Sequence, residues 1–427
     1  MVRSTRWLVW VGILSGSKRL ADVTMALGGI ILFLPLLALL YGVALTRGGG
    51  IVRSPRVGRW GVTFELYGLG FGAAPELGLL SRLPELFNLL KGDLSFIGPR
   101  AAGPGLGSAE RLAWRRYQVR PGLLCLWWIR RHASIDYSTE AEVDAEYVDT
   151  QSIRGDIGIA LRAIPAALYG KGAVRDAPGK IQLLGITIDN LTMDESVTYI
   201  VDKGKRSPAP VRICFVNADC ANIAARRDDY MENLRSADLV LADGIGIKVA
   251  GKILNMNIRQ NVNGTDLFPR LCAALEKEKL GLFLLGGKPG VPEDVAAWAV
   301  KNYPGIVISG VQHGYFEESE EASVLRTIRR SDAAILLVAF GAPKQDLWIS
   351  RNLHATGVRV AMGVGGLFDF YSGRIPRAPM WMRELALEWV YRFIQEPRRM
   401  WRRYLVGNIV FLYRVFSFRR NSRRQEG

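Results

Sequence analysis

The segment Leu241-Ala242-Asp243-Gly244-Ile245-Gly246 sets a carboxylate at the end of an apolar, strand-like run and follows it with two glycines. An acid in that place projects into whatever crevice lies beyond the strand, and the glycines let a substrate approach the backbone. Asp243 is therefore a candidate general base. The same Asp-Gly pair also serves as a simple cap for the next helix, and spacing alone does not choose between the two roles. Asn263-Gly264-Thr265-Asp266, the glycine loop at 286–290, Gly341-Ala342-Pro343-Lys344-Gln345-Asp346 and Gly363-Val364-Gly365-Gly366 repeat the pairing of glycine with polar side chains. No Gly-x-Gly-x-x-Gly opens a helix after a first strand, so the dinucleotide fingerprint is missing. There is also no Asp-x-Asp pair of the kind that holds a divalent cation for a sugar nucleotide. Bound phosphates would instead need arginines and helix N-termini.

These residues need elements to hold them. From residue 181 onward, apolar runs at 183–188, 213–217, 239–242, 282–285, 335–340 and 358–362 alternate with helical segments. The first helix has a capping-box start, Thr192 followed by Glu195. Alternating strands and helices predict an α/β fold with a doubly wound, mostly parallel, Rossmann-like sheet. Its strand ends carry Asn217, Asp219, Asp243, Gly286-Gly287, Gly341 and Gly365-Gly366, where ligands bind in such sheets. The four cysteines form no Cys-x-x-Cys pair and the three histidines lie far apart. This predicts a reduced, cytoplasmic chain without metal or cofactor.

The formal charge of +16 calls for an anionic partner. From Arg374 onward, thirteen arginines face four glutamates, and Trp, Tyr, Phe and Leu are interleaved among them. No zinc-finger, RNP or helix-turn-helix signature accompanies this charge, so nucleic acid is not the expected partner. A phospholipid surface suits a basic, apolar-rich tail better. Trp381, Leu385, Trp389 and Phe393 recur every four residues, and Pro397 separates a second helical piece. The plainer alternative is a C-terminal helix packed on the sheet with a solvated basic face.

Between Arg19 and Arg47 the only charge is Asp22, and the run is lipid-compatible. Pro35 lies in its middle, and both flanks are basic: Arg3, Arg6, Lys18 and Arg19 before it, Arg47, Arg53, Arg56 and Arg59 after it. A spanning helix would carry one cluster across the membrane, so a re-entrant helical hairpin is the expectation, with a plain spanning anchor as the alternative. No small-residue cleavage site follows, which disfavours a signal peptide. The expected organisation is a membrane segment over 1–50, a second domain over 51–175, a catalytic core over 176–375 and a basic membrane-facing tail over 376–427. Residues 173–180 read as a linker.

Residues from about 180 to 405 resemble the WecG/TagA/CpsF family of bacterial glycosyltransferases. The motifs are FVNAD (215–219), ADGIG (242–246), NGTDL (263–267), GAPKQDLW (341–348), GVGGLFD (363–369), RAP (377–379), LEWVYR and EPRRMWRRY (387–404). The resemblance implies an inverting, metal-independent enzyme that moves N-acetylmannosamine or a related sugar from a UDP-sugar to a polyprenyl-diphosphate-linked acceptor. It implies Asp243 as base, Gln345 as a binding glutamine, and Arg392, Arg399 and Arg402 as arginines closing over the diphosphate. Asn217, Gly244, Asn263, Gly264 and Asp266 complete the expected substrate site. Two positions depart: Asn261 replaces a family arginine, with Arg259 a nearby substitute, and Phe215 replaces a threonine. Both bear on the donor and leave its sugar open.

The N-terminal half resembles the polyprenyl-phosphate sugar-1-phosphate transferases. The motifs are KRLADVTMALGGIILFLPLLALL, RVGRWG (56–61), LPELFNLLKGDLSFIGPR (83–100), VRPGL (119–123) and EVDAEYVDTQSIRGDIGIAL (142–161). That family carries an Asp-Glu dyad before Leu-Pro, where this chain has Ser81-Arg82, and a Lys-Phe-Arg motif where it has Tyr67-Gly68-Leu69. A carboxylate nucleophile is not replaced by an unactivated serine. The half therefore reads as a degenerate membrane dock, with Glu85 and Asp93 as the residues of any rearranged site. The predicted whole is a monotopic glycosyltransferase on the cytoplasmic face of the bacterial inner membrane, and a homo-oligomer is compatible with it. The rivals are a bifunctional chain that also transfers sugar phosphate, and a non-catalytic pathway scaffold.

Overall fold

The computed structural model describes residues 2–72, 78–104, 114–133, 139–169, 178–385 and 387–425. The chain divides into two compact units, Met1–Gly170 and Lys171–Gly427. Most of the segment read as a linker, up to residue 177, lies outside the described residues.

The first unit opens with α1 (Val2–Thr46), one helix with Pro35 inside it. Sequence reasoning expects Pro35 to fold this segment back on itself, whereas the helix continues through it. Proline removes a single N–H, and the leucines and alanines on either side sustain the helix. The side chains of Arg3 and Arg6 lie outside those described. An antiparallel hairpin follows, β1 (Gly50–Val57) with β2 (Thr63–Gly70), in register from Gly50 opposite Gly70 to Val57 opposite Thr63. Its arginines, Pro55 and glycines hide it from pattern reading. Then come α2 (Glu85–Lys91), β3 (Ser95–Ile97) paired in parallel with β4 (Gly122–Leu124), α3 (Leu126–Ala133), α4 (Glu140–Thr150) and α5 (Ile153–Tyr169). Ile97, Ile129, Val143, Tyr147 and Ile159 form the core of this unit.

In the second unit the stretch 183–188 is a hairpin rather than one strand: β5 (Lys180–Leu183) turns into β6 (Ile186–Asp189) through Leu184-Gly185, with φ of 51° and 82°. Two positive φ values close a two-residue turn, and a leucine in the first position leaves no sign of it in the sequence. The chain continues through α6 (Met193–Arg206), β7 (Val211–Val216), α7 (Ala218–Ala224), α8 (Asp228–Arg235), β8 (Leu239–Ala242), α9 (Ile245–Ile253), α10 (Gly264–Glu278), β9 (Gly281–Gly286), α11 (Val291–Asn302), β10 (Val307–Gln312), α12 (Glu318–Arg330), β11 (Ile335–Ala339), α13 (Lys344–Thr356), β12 (Val360–Gly363) and α14 (Leu367–Tyr371). α6 begins with the full Thr192/Glu195 capping box.

The eight strands lie in the order β10-β9-β11-β12-β7-β8-β6-β5. All pairings are parallel except β5 with β6. Central strands β7 and β8 are buried along their whole length, as a sheet covered on both faces requires. β10, an edge strand with Ser309 and Gly310, has too little apolar character to be seen in the sequence.

The tail forms α15 (Met380–Glu384), α16 (Glu388–Gln395), α17 (Pro397–Trp401), a π-helical turn over Arg402–Val406, and α18 (Gly407–Gln425). Pro397 starts α17, where its missing N–H costs nothing. Phe411 and Val415 of α18 are buried among side chains of α7 and α9, while Ile409, Tyr413 and Phe416 on the same helix are exposed.

Candidate active site

The loops leaving the carboxyl ends of β7, β8, β9, β11 and β12 surround a crevice of about 740 Å³, and the tail forms its opposite wall. Six cationic side chains line it (Lys288, Lys344, Arg374, Arg392, Arg399 and Arg403), against the carboxylates of Asp243, Asp369 and Glu396. The excess of positive charge suits a polyanion such as a diphosphate.

Asp243 follows β8 and faces the crevice. The N-cap position of α9 is Gly244, and no side chain caps that helix, so Asp243 does not serve as its cap. Its Oδ2 instead accepts from the Asn217 amide nitrogen at 3.1 Å. Burial pushes the Asp243 carboxyl above its ordinary range, opposed by the Asn217 hydrogen bond and the Arg403 charge, and reinforced by Glu388 and Asp266. A carboxylate so raised is a better proton acceptor than a solvated one. Gly244 has φ of 86°, a left-handed value that glycine takes freely, and its N–H donates to Asn261 Oδ1. Asn261 thus shapes the turn behind the acid.

Asn217 caps α7 as well: its Oδ1 accepts from the N–H groups of Asp219 and Cys220. Gln345, nearly fully buried, accepts from Gly341 N–H at 3.1 Å and Gly365 N–H at 2.9 Å, and so ties together the loops after β11 and β12. Arg392 lies flat on the backbone of Gly366, where a methyl group would meet Nη2 at 2.5 Å, with its guanidinium 5.2 Å from the Phe370 ring. Arg399 pairs with Glu396 at 3.2 Å on the same wall.

Four expected residues stand elsewhere. Asn263 caps α10 by accepting from Asp266 N–H, and Asp266 itself is buried, bound to Arg377 and Arg383. That carboxylate latches the tail to α10, and of the group only Gly264 and Thr265 line the crevice. Arg402 is exposed and stacks on Trp401, 5.2 Å from its ring, while Arg403 is the residue that enters the crevice. Arg403 lies one helical turn beyond Arg399 and shares its crevice-facing side, which Arg402 does not. Arg403 pairs with Asp219 at 3.1 Å. Arg259 does not take over the role of an arginine at 261: its guanidinium makes paired bonds to Glu195, 2.8 and 2.9 Å, at the start of α6. Arg374, Lys288 and Lys344 also line the crevice; in the sequence they stand in the basic tail and the glycine-containing loops, with nothing to single them out as site residues. Among the described residues, no three His, Cys, Asp or Glu side chains are grouped as a metal ion would need.

In the first unit, Arg82 makes paired bonds to Glu85, 2.6 and 2.8 Å, and a third to the Leu123 carbonyl. The guanidinium and the nearest carboxylate neutralise each other.

A doubly wound sheet with a shielded acid at one strand end, in a crevice rich in arginine and lysine, is a layout suited to group transfer. Residues 181–425 match the glycosyl transferase WecG/TagA/CpsF family, and the chain belongs to that family and is a glycosyltransferase. Residues 78–170 match bacterial sugar transferase. The chain is 36% identical over 193 residues to the N-acetylglucosaminyldiphosphoundecaprenol N-acetyl-beta-D-mannosaminyltransferase of Bacillus subtilis, covering 45% of this chain and 74% of that one. It is 33% identical over 193 residues, with the same coverage, to the protein of that name from Bacillus spizizenii. To the Staphylococcus aureus (strain MW2) protein of that name it is 28% identical over 251 residues, 58% of this chain and 97% of that one.

Proposed function

We propose that the second unit moves a hexose or N-acetylhexosamine, of the N-acetylmannosamine type, from a UDP-sugar to a polyprenyl-diphosphate-linked acceptor with inversion. The observation that carries this reading is one crevice lined by the Asp243 carboxylate and by Arg392, Arg399 and Arg403. The acceptor hydroxyl attacks the anomeric carbon from the face opposite the diphosphate. The new C–O bond forms as the bond to the phosphate oxygen breaks, the hydroxyl proton passes to Asp243, and UDP leaves with the bonding pair. Charge grows on the departing diphosphate, so the arginines favour the transition state over the ground state. The relatives' names, which specify a lipid-diphosphate acceptor and a mannosaminyl group, support the choice of substrates.

The same reading has the protein monotopic, on the cytoplasmic face of the membrane. Just before its apolar run, α1 is fixed to the rest of the first unit by Lys18, which donates to the Ile97 carbonyl and pairs with Asp156, and by buried Asp22, which accepts from Phe96 N–H. Near its end, Leu40 and Ala44 pack on Leu69 and Phe71 of the same unit. Both stretches of α1 are thus held by one compact unit, which supports a helix lying along that unit over one that leaves it to cross the bilayer. Ile31, Leu32, Leu34 and Leu39 remain exposed for lipid. The first unit serves as a membrane dock without the phosphoryl chemistry of its relatives, a reading supported by the Arg82–Glu85 pair.

The test is to incubate purified full-length protein with lipid-linked mono- and disaccharides and a panel of nucleotide sugars, then weigh the products and assign the new anomeric configuration by NMR. A product of retained configuration, or none with any UDP-sugar, overturns the reading.

A further inference from the structure

Behind the crevice floor lies a buried polar path that the mechanism above does not use. Asp346, next to Gln345 on the first turn of α13, is 1% exposed. Its Oδ2 accepts from the hydroxyl of Tyr230, itself fully buried, at 2.9 Å. Its Oδ1 and the Gln345 amide nitrogen press on the same point: a methyl group on Gly363 would sit 2.5 Å from the one and 2.6 Å from the other. Oδ1 has no hydrogen-bond partner of standard geometry, and the Gln345 amide nitrogen is a polar group close beside it, near enough to favour its ionised form. The other end of the Gln345 amide is fully used, since its oxygen accepts from both Gly341 and Gly365. An amide reversed end for end would direct its NH₂ at those two N–H groups and its oxygen at a carboxylate, leaving buried polar groups unpaired.

We propose that Asp346 is a positioning residue for the donor site: it holds the Gln345 amide in the one orientation that joins the Gly341 and Gly365 loops across the crevice floor, and Tyr230 holds Asp346. The Tyr230 hydroxyl also meets the thiol of Cys220, a crevice residue whose N–H is capped by Asn217. The two sides of the site therefore share one buried support. Burial of a carboxyl is costly unless its oxygens are satisfied, and a plain packing role at this position would be served equally well by an apolar side chain. That the crevice takes a UDP-sugar is the reading on which this rests.

The experiment compares full-length wild type with Asp346→Ala, Asp346→Asn and Tyr230→Phe, each checked for folding by thermal melting. Two quantities are read: the calorimetric Kd for UDP, and hydrogen exchange at the Gly341 and Gly365 amides. Asp346→Ala is expected to weaken UDP binding by about tenfold or more in folded protein and to speed exchange at both glycines. Asp346→Asn is expected to recover most of the loss, because its oxygen can accept from Gln345 while its nitrogen donates to the Tyr230 oxygen. Tyr230→Phe, the gentler change if the alanine variant does not fold, is expected to weaken binding by about threefold to tenfold. Wild-type exchange and affinity in folded Asp346→Ala or in Tyr230→Phe overturns the proposal, as does Asn behaving no better than Ala. A wild-type protein that fails to bind UDP sinks the donor reading instead, and glycine exchange still decides the positioning role.

Discussion

Asn217 and Asp243 are joined by a 3.1 Å hydrogen bond in which the amide that caps α7 also donates to the acid at the end of β8. One side chain thus fixes a helix start and favours the ionised form of the acid. Replacing Asn217 with alanine removes a donor to the carboxylate, so the Asp243 pKa rises further. A base works only when ionised, and activity is lost as pH falls through its pKa. The acid limb of the kcat/KM profile is therefore expected to move to higher pH in Asn217→Ala, with a cap loss of about 1 kcal/mol in unfolding free energy. An acid limb that stays in place separates Asn217 from the base.

Asp243→Asn keeps the shape and loses the proton acceptor. Turnover is expected to fall by about two orders of magnitude or more, with UDP affinity and melting temperature near wild type. Single-turnover rates on a lipid-linked acceptor measure this directly.

Arg402 and Arg403 provide an adjacent pair for comparison. Arg403→Gln is expected to lower kcat/KM on a water-soluble acceptor by about tenfold or more, because a cation is lost beside both the donor and Asp243. Arg402→Gln, on the exposed side, is expected to leave that activity within about twofold. Equal losses would mean that the crevice-facing and exposed positions do not differ in function.

For the first unit, an Asp243→Asn background removes the sugar transfer and isolates any phosphoryl transfer. Such a protein is expected to release no nucleoside monophosphate from nucleotide sugars with polyprenyl phosphate, and intact mass is expected to find no phosphosugar adduct. Restoring Asp-Glu at 81–82 is not expected to suffice, because Tyr67-Gly68-Leu69 still stands where the resemblance to the sugar-1-phosphate transferases implies Lys-Phe-Arg.

Exposed Ile409, Tyr413 and Phe416 on α18 are expected to contact lipid. A triple change to serine should weaken sedimentation with anionic vesicles by about tenfold or more while sparing activity on a soluble acceptor. Unchanged vesicle binding would shift the membrane role to α1.

Much of the second unit was legible because its strands are short apolar runs that end in a polar residue or a glycine. Asn217 and Asp243 follow that rule, and both line the crevice. What escaped was decided by distant partners or by local twist. Asp266 carries the same Asn-Gly-Thr-Asp signal as a ligand, but its role is set by Arg377, 111 residues away. Arg259 looked available until Glu195, read in the sequence only as a capping residue, claimed it. Arg402 and Arg403 are neighbours in one basic run, and only the crevice-facing side shared with Arg399 tells them apart. In α1, an interior proline weighed less than the apolar helix around it.

The helical run 388–425 carries the arginines that face the crevice and, further along, the apolar residues that face outward. On the proposed reading, seating on a bilayer and gripping the nucleotide would be demands on one segment, and an ordering of that segment by either would favour the other. Such an enzyme would act as a coincidence detector: away from lipid its grip on the activated sugar would slacken, and at the surface where acceptors reside it would tighten, so that the sugar is spent only where a recipient is within reach.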